Sequence, residues 1–140
     1  MNLLYILILF SSISFLAYGV EYLRSPHMKN EFKRFGLEKL GGFTVVLEVL
    51  GAIGLLAGIW YNSLLLFSSL GLGLLMLLGV LVRIKMRDSL LISLPATFYM
   101  AINFFIFYKA YMLWYSIELQ LSLSLYYLPH WYYLFHLVFE

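Results

Sequence analysis

The sequence predicts an all-α fold: a four-helix transmembrane bundle with a short amphipathic helix in its first cytoplasmic loop. Three observations predict it. The 140 residues are 64% hydrophobic and only 11% charged, whereas a soluble domain carries about 45–50% and about 25%. With a mean hydropathy of +0.92, too few polar side chains remain to coat a globule in water, so the excess faces lipid. Four apolar runs of 18 or 19 residues contain no Lys or Arg, close to the roughly 20 residues that cross a hydrocarbon core of about 30 Å. Eight of the nine Lys and Arg lie in alternate connections between those runs.

The runs are 3–20, 43–60, 64–82 and 90–108. A backbone in lipid must satisfy its own polar groups, so each is expected to be helical. The first lacks a basic leader and a small-residue cleavage site, which reads as a retained helix rather than a signal peptide. Pro95 lies near the start of the fourth, where it should bend the helix.

Arg24, Lys29, Lys33, Arg34 and Lys39 fall between the first two runs, and Arg83, Lys85 and Arg87 between the last two. The positive-inside rule makes that side cytoplasmic. Tyr61, Asn62 and Ser63 form an uncharged second loop, and Lys109 is the one basic residue on the other side. Trp60 and Tyr61, with Tyr108, Tyr111, Trp114 and Tyr115, then fall at the outer interface, where amphipathic rings prefer to sit.

The first loop carries its own helix signal. Ser25-Pro26 supplies an N-cap and a proline at the first helical position, and Gly36 a stop. Met28, Phe32 and Phe35 repeat at i, i+4, i+7, with Lys29, Lys33 and Arg34 elsewhere on the wheel. Such a helix lies on the inner leaflet with its basic residues at anionic head groups. Alternatively, Met28 and the two phenylalanines plug the bundle from below.

The chain divides into a four-span membrane domain, 1–108, and an aromatic tail, 109–140. In the tail, 117–125 alternates as Ile-Glu-Leu-Gln-Leu-Ser-Leu-Ser-Leu, locally a strand pattern. A lone strand cannot keep open edges in lipid. The tail therefore lies on the outer interface, extends the fourth helix or forms a poor fifth span, with Pro129 interrupting it.

Glu48 is the sole ionisable residue within the spans apart from tyrosines. Intramembrane carboxylates are costly and face a bundle interior or water. Helical spacing sets Thr44, Glu48, Gly51, Gly54 and Gly58 in one arc. Gly54 and Gly58 form a GxxxG step, and the three glycines suit close helix packing. Ser11, Ser14, Tyr18 and Glu21 make a polar stripe on the first helix; Ser69, Gly73 and Met76 mark the third, Thr97 and Asn103 the fourth. Two readings of Glu48 stay open. It is a proton carrier or the acceptor of a small ligand, oriented by Asn103 or Tyr18. Or it is structural, hydrogen-bonding across the interface or pairing with Arg83.

The absence of cysteine removes disulfides and thiolate metal sites from this chain. His27 is expected to be solvated, and His130 and His136 do not share a helix face, so no metal site is expected. No dinucleotide fingerprint, P-loop or hydrolase elbow is present. The short basic loop does not argue for nucleic acid. No catalytic residue can be named.

Pro26, Met28, Glu31, Phe32, Gly36 and Leu37, followed by Glu48, Gly51, Ala52, Gly54, Leu55 and Leu56, resemble the pattern of DoxX-like membrane proteins. The resemblance is strongest over 15–58, about a third of the chain. Tyr22-Leu23 stands where many of these proteins have Lys-Leu, and the aromatic tail is foreign to their core. The resemblance implies a four-helix protein of a bacterial inner membrane. Some relatives are linked to quinone-coupled sulfur oxidation or to redox complexes with partner subunits. It therefore implies a membrane subunit of a quinone-linked redox complex, with electrons carried by quinone or a partner. The alternative is a non-catalytic membrane scaffold or assembly factor that holds a partner subunit or a second copy. A transporter fits less well, because four short spans leave little room for paired repeats and broken helices.

Overall fold

A computed structural model describes the backbone of residues 2–36 and 38–139, and the side chains of 3–36, 40–89 and 91–127. The readings of Lys39, His130, His136 and the aromatic residues after Pro129 concern side chains outside the described residues. Among the described residues the fold is all-helical. Its five helices are α1 (Asn2–Arg24), α2 (Pro26–Arg34), α3 (Glu38–Ala57), α4 (Asn62–Lys85) and α5 (Leu90–Phe139). Four are long and apolar enough to cross a membrane, over Leu3–Arg24, Leu40–Ala57, Asn62–Lys85 and Leu91–Tyr127.

The four long helices run up and down. α1 packs on α3, α3 on α4, α4 on α5 and α5 on α1, while the diagonal pairs do not approach among the described residues. The result is a four-cornered ring with one basic end and one end without charge in its turn. The α1–α5 seam is the slightest of the four. Each helix buries one stripe: Ile8, Ser11, Phe15 and Gly19 on α1; Val45, Glu48, Ala52 and Leu55 on α3; Leu65, Ser69 and Leu72 on α4; Ile102, Asn103, Ile106 and Ala110 on α5. The opposite faces expose Leu, Ile, Val and Phe, as helices solvated by lipid do. In lipid the apolar stripe gains little by leaving the solvent, so close packing and interhelical hydrogen bonds hold the ring.

Several boundaries differ from the sequence reading. α3 stops at Ala57, because Gly58 to Tyr61 fold into a tight turn. The Gly58 N–H donates to Gly54 O at 2.8 Å, and the Trp60 and Tyr61 N–H groups both donate to Ala57 O, at 3.1 and 3.2 Å. Asn62 and Ser63, expected in the loop, open α4. The Asn62 side-chain amide donates to Ala110 O at 3.1 Å, tying the start of α4 to α5 at the end opposite the basic connections.

α2 begins with Pro26 at its first turn after an extended Ser25, and Gly36 follows it with φ +68°. The Ser25 hydroxyl makes no capping bond, so proline and the change of backbone direction start the helix. Phe32 packs edge-on against Tyr22 at 5.8 Å and lies under Gly41. The aromatic face of α2 thus meets the floor of the bundle, while no α2 residue is fully buried.

α5 is one helix of 50 residues, continuous through Pro95. The alternating stretch 117–125 is helical, not extended. No neighbouring strand is there to take its backbone groups, and only a helix satisfies them within the segment. Packing against the ring ends at Ala110, and every side chain from 111 to 127 is exposed.

Candidate functional site

Glu48 lies in the middle of the buried stripe of α3, with Val45 and Ala52 one turn on either side. Ten residues from the start of α3 place it about 15 Å along the helix axis. The residue is only 3% exposed, and its Oε2 has no hydrogen-bond partner among the described residues. A buried carboxylate oxygen left unpaired carries its full desolvation cost.

Tyr18 of α1 stands across the α1–α3 contact. Tyr18 is half-buried and lies within electrostatic reach of Glu48, Arg83, Tyr22 and Glu21. Next to it, Gly19 lets α1 come down on Val45 and Val49 of α3. This close approach brings the Tyr18 side chain to the level of Glu48. Arg83 does not ion-pair with Glu48: its carboxylate contact is Asp88, at 4.0 Å, and its guanidinium lies 5.7 Å from the Phe35 ring. The expected Glu48–Arg83 pair is therefore absent, because Arg83 turns toward the α4–α5 turn.

Asn103 is occupied elsewhere. Its Oδ1 accepts from the Ser11 hydroxyl at 3.2 Å, and its Nδ2 donates to Tyr99 O at 2.8 Å. The first of these bonds crosses the thin α1–α5 seam in mid-bundle, and the second stays within α5. The candidates thus fall into two groups, Glu48 with Tyr18 nearer the basic end and Ser11 with Asn103 deeper. Around the seam Phe10 stacks on Tyr99 at 5.9 Å, and Phe15 lies 5.4 Å from the same ring. By helical rise Phe15 stands about 4.5 Å deeper than Tyr18 along α1, between it and Ser11.

Gly51, Gly54 and Gly58 line the α3–α4 contact. A Cβ on Gly51 would stand 2.7 Å from Leu72 Cγ, one on Gly54 would collide with the Ser68 hydroxyl, and one on Gly58 would lie 2.7 Å from the Leu65 backbone. The remaining polar residues divide. Ser69 is buried and donates to Leu65 O at 2.6 Å, whereas Thr97 is exposed and bonds to Ser93 O. Ser12 and Ser93, which sequence reasoning passed over, are buried, and Ser12 Oγ has no partner among the described residues. Ser12 stands one turn from Phe15 on the buried stripe, the signal that could have found it.

At the basic end Arg34 reaches the α4–α5 turn, bonding Asp88 through both guanidinium nitrogens at 3.0 and 2.8 Å, and Glu31 at 3.0 Å. The Asp88 hydrogen bonds hold the Arg34 guanidinium above its usual value. Arg34 is thus a strut between α2 and that turn, while Lys29 lies over the Tyr22 ring at 6.0 Å.

The model of the DoxX-like family matches residues 5–105, which include all four ring-forming segments and the Glu48–Tyr18 pair. The chain belongs to the DoxX-like family. No curated protein and no solved structure matches it. As a DoxX-like protein with four spanning helices, it is an integral membrane protein whose surroundings are the lipid bilayer. The family match ends at residue 105, within the packed part of α5, and leaves out the exposed part of that helix.

Proposed function

We propose that this DoxX-like chain is a membrane subunit of a quinone-linked redox complex, with Glu48 and Tyr18 as its ligand-binding pair. One observation carries the reading: the buried Glu48 Oε2 without a partner. A carboxyl held this way offers a hydrogen bond to a quinone carbonyl or accepts one from a quinol hydroxyl, and the Tyr18 hydroxyl supplies a second polar contact. Phe15, one turn deeper than Tyr18, and Tyr99 beside it give an apolar wall. These residues fit a quinone, which when bound supplies two-electron chemistry; the chain's own part is to hold the ring and a proton at Glu48 Oε2. Asn103, bonded to Ser11, keeps α1 and α5 together beside that site.

The same proposal sets the chain in a bacterial inner membrane, basic loops cytoplasmic, with a partner subunit or a second copy completing the complex. It divides the chain into the four-span domain, 1–108, and the aromatic tail, 109–140, whose described side chains are exposed from Tyr111 onward. At about 1.5 Å per residue α5 is about 75 Å long, more than twice a hydrocarbon core. The tail thus extends the fourth helix beyond a single crossing.

A second reading, a scaffold or assembly factor, draws support from the tight seal around Glu48, which is 3% exposed. Purification in mild detergent followed by mass spectrometry separates the two. The redox reading expects co-purified quinone, reduced about fivefold in Glu48→Gln, the scale of one net hydrogen bond. Recovery of a protein partner without quinone, unchanged in Glu48→Gln, supports the scaffold. Recovery of neither quinone nor protein overturns the redox reading.

A further inference from the structure

α2 runs along one edge of the ring, yet its last turn is bonded to the opposite edge. Among the described residues its backbone packs on α1 and α3. Its Arg34 donates to both carboxylate oxygens of Asp88, in the α4–α5 turn, at 3.0 and 2.8 Å. We infer that Arg34 and Phe35 form a strap over the basic mouth of the ring, and that water reaches Glu48 from that side when the strap lifts off Asp88.

The order of helices around the ring sets the α1–α3 and α4–α5 edges opposite each other, so the Arg34 side chain crosses the mouth. The Phe35 ring beside it has the Arg34 guanidinium 4.9 Å away and that of Arg83, on α4, 5.7 Å away. On the α1–α3 side the floor is filled by Tyr22 and Phe32: a Cβ on Gly41 would stand 3.0 Å from Tyr22 Oη and 2.8 Å from Phe32 Cγ. Inward of the strap is Tyr18, within electrostatic reach of both Arg83 and Glu48. The mouth therefore leads past Arg83 and Tyr18 to the carboxyl whose Oε2 has no partner among the described residues.

The two halves of the fastening differ in rigidity. Asp88 is fixed. Its N–H donates to Arg83 O at 3.0 Å, Arg87 before it is left-handed at φ +57°, and its side chain is 6% exposed. α2 is held lightly, with no residue fully buried, and a segment with few buried contacts opens at low cost. The paired hydrogen bonds give Arg34 one fitted position on Asp88. Arg34 itself is half open to water, so the contact biases the strap toward closure a few-fold and does not lock it. The inference rests on the reading of Glu48 as the ligand-binding residue, and an open strap admits the water with which its carboxyl exchanges a proton.

The test uses the full chain in detergent, which has no native thiol. Val45→Cys and, separately, Thr44→Cys put one thiol on α3 about one turn on the mouth side of Glu48. Alkylation by iodoacetamide, a small uncharged reagent, then reads access from the mouth. Asp88→Asn should speed it about threefold at either position, the same factor as amide exchange across α2, because both report one opening. Arg34→Gln should match Asp88→Asn. Lys85→Gln removes a cation at the same end outside the strap and should leave the rate unchanged. Ser63→Cys, at the other end, should react equally with and without Asp88→Asn. A thiol variant that does not fold is replaced by the other, which carries the same expectation. Unchanged alkylation in Asp88→Asn, whether or not α2 exchange rises, would overturn the strap. So would an equal gain at Ser63→Cys, which reports a loosened bundle, or an equal gain from Lys85→Gln, which reports charge alone. Co-purified quinone is measured separately and responds to Glu48→Gln, so the strap and the redox reading fail separately.

Discussion

Gly58 and Gly79 occupy opposite kinds of place in one bundle. A Cβ on Gly58 would lie 2.7 Å from the backbone N and Cα of Leu65, atoms that cannot swing aside, whereas one on Gly79 meets nothing within 4 Å. Gly58→Ala should therefore cost about 1–3 kcal/mol through overpacking. Gly79→Ala should be neutral or stabilising by up to about 1 kcal/mol, because alanine is the better helix former. Thermal unfolding in detergent checks both, and equal effects would show that the α3–α4 turn is looser than its geometry. Ser11 and Asn103 bridge the thinnest seam with one interhelical hydrogen bond of 3.2 Å. A double-mutant cycle with Ser11→Ala and Asn103→Ala should give a coupling of about 0.6 kcal/mol, ordinary for such bonds in membrane helices. Glu48 was legible in the sequence as a lone ionisable residue in an apolar run. Its neighbour was not, because Tyr18 and Asn103 are both polar, both inward by spacing and 85 residues apart. Only the packing bonds Asn103 to Ser11 and leaves Tyr18 within electrostatic reach of Glu48.

At the scale of elements, α2 shows how a loop helix can be held at two points. Phe32 sits against Tyr22 on one side, and Arg34 spans 54 residues of sequence to Asp88 on the other. Asp88 is 6% exposed at its side chain, so this pair is less open to solvent than most surface pairs. Asp88→Asn should raise amide exchange across residues 26–34 about threefold, a modest change because Arg34 itself is half open to water. Unchanged exchange would mean that Phe32 alone holds α2. The raised Arg34 value fixes the sign of any pH effect. A guanidinium whose folded value lies above its unfolded one keeps its contribution below the unfolded value, as long as Asp88 stays a carboxylate, and loses it as alkalinity passes the folded value. The start and stop of α2 were legible from Pro26 and Gly36, since both act through local backbone geometry. Its contacts were not: Met28, Phe32 and Phe35 form the same stripe whether it faces lipid or the bundle floor.

At the scale of the whole molecule, the basic connections share one end and the Gly58–Tyr61 turn occupies the other. The chain has no cysteine, so single thiols can report which side each end faces. In intact cells Ser63→Cys should react with a membrane-impermeant maleimide, and Lys85→Cys only after permeabilisation. The reverse labelling would invert the proposed orientation.

The sequence by itself determined that this chain spans a membrane four times, that its spans are helices and which connections carry the charge. Those properties follow from composition over windows of about 20 residues, and lipid enforces them whatever the spans touch. Only the tertiary structure decided the order of helices around the ring, the partner of each polar side chain, the unpaired Glu48 oxygen and the single long α5. The reason is physical: in lipid every outward face is equally apolar, so which inward faces meet is chosen by glycine-sized clearances and hydrogen bonds between distant residues, and no local pattern encodes those.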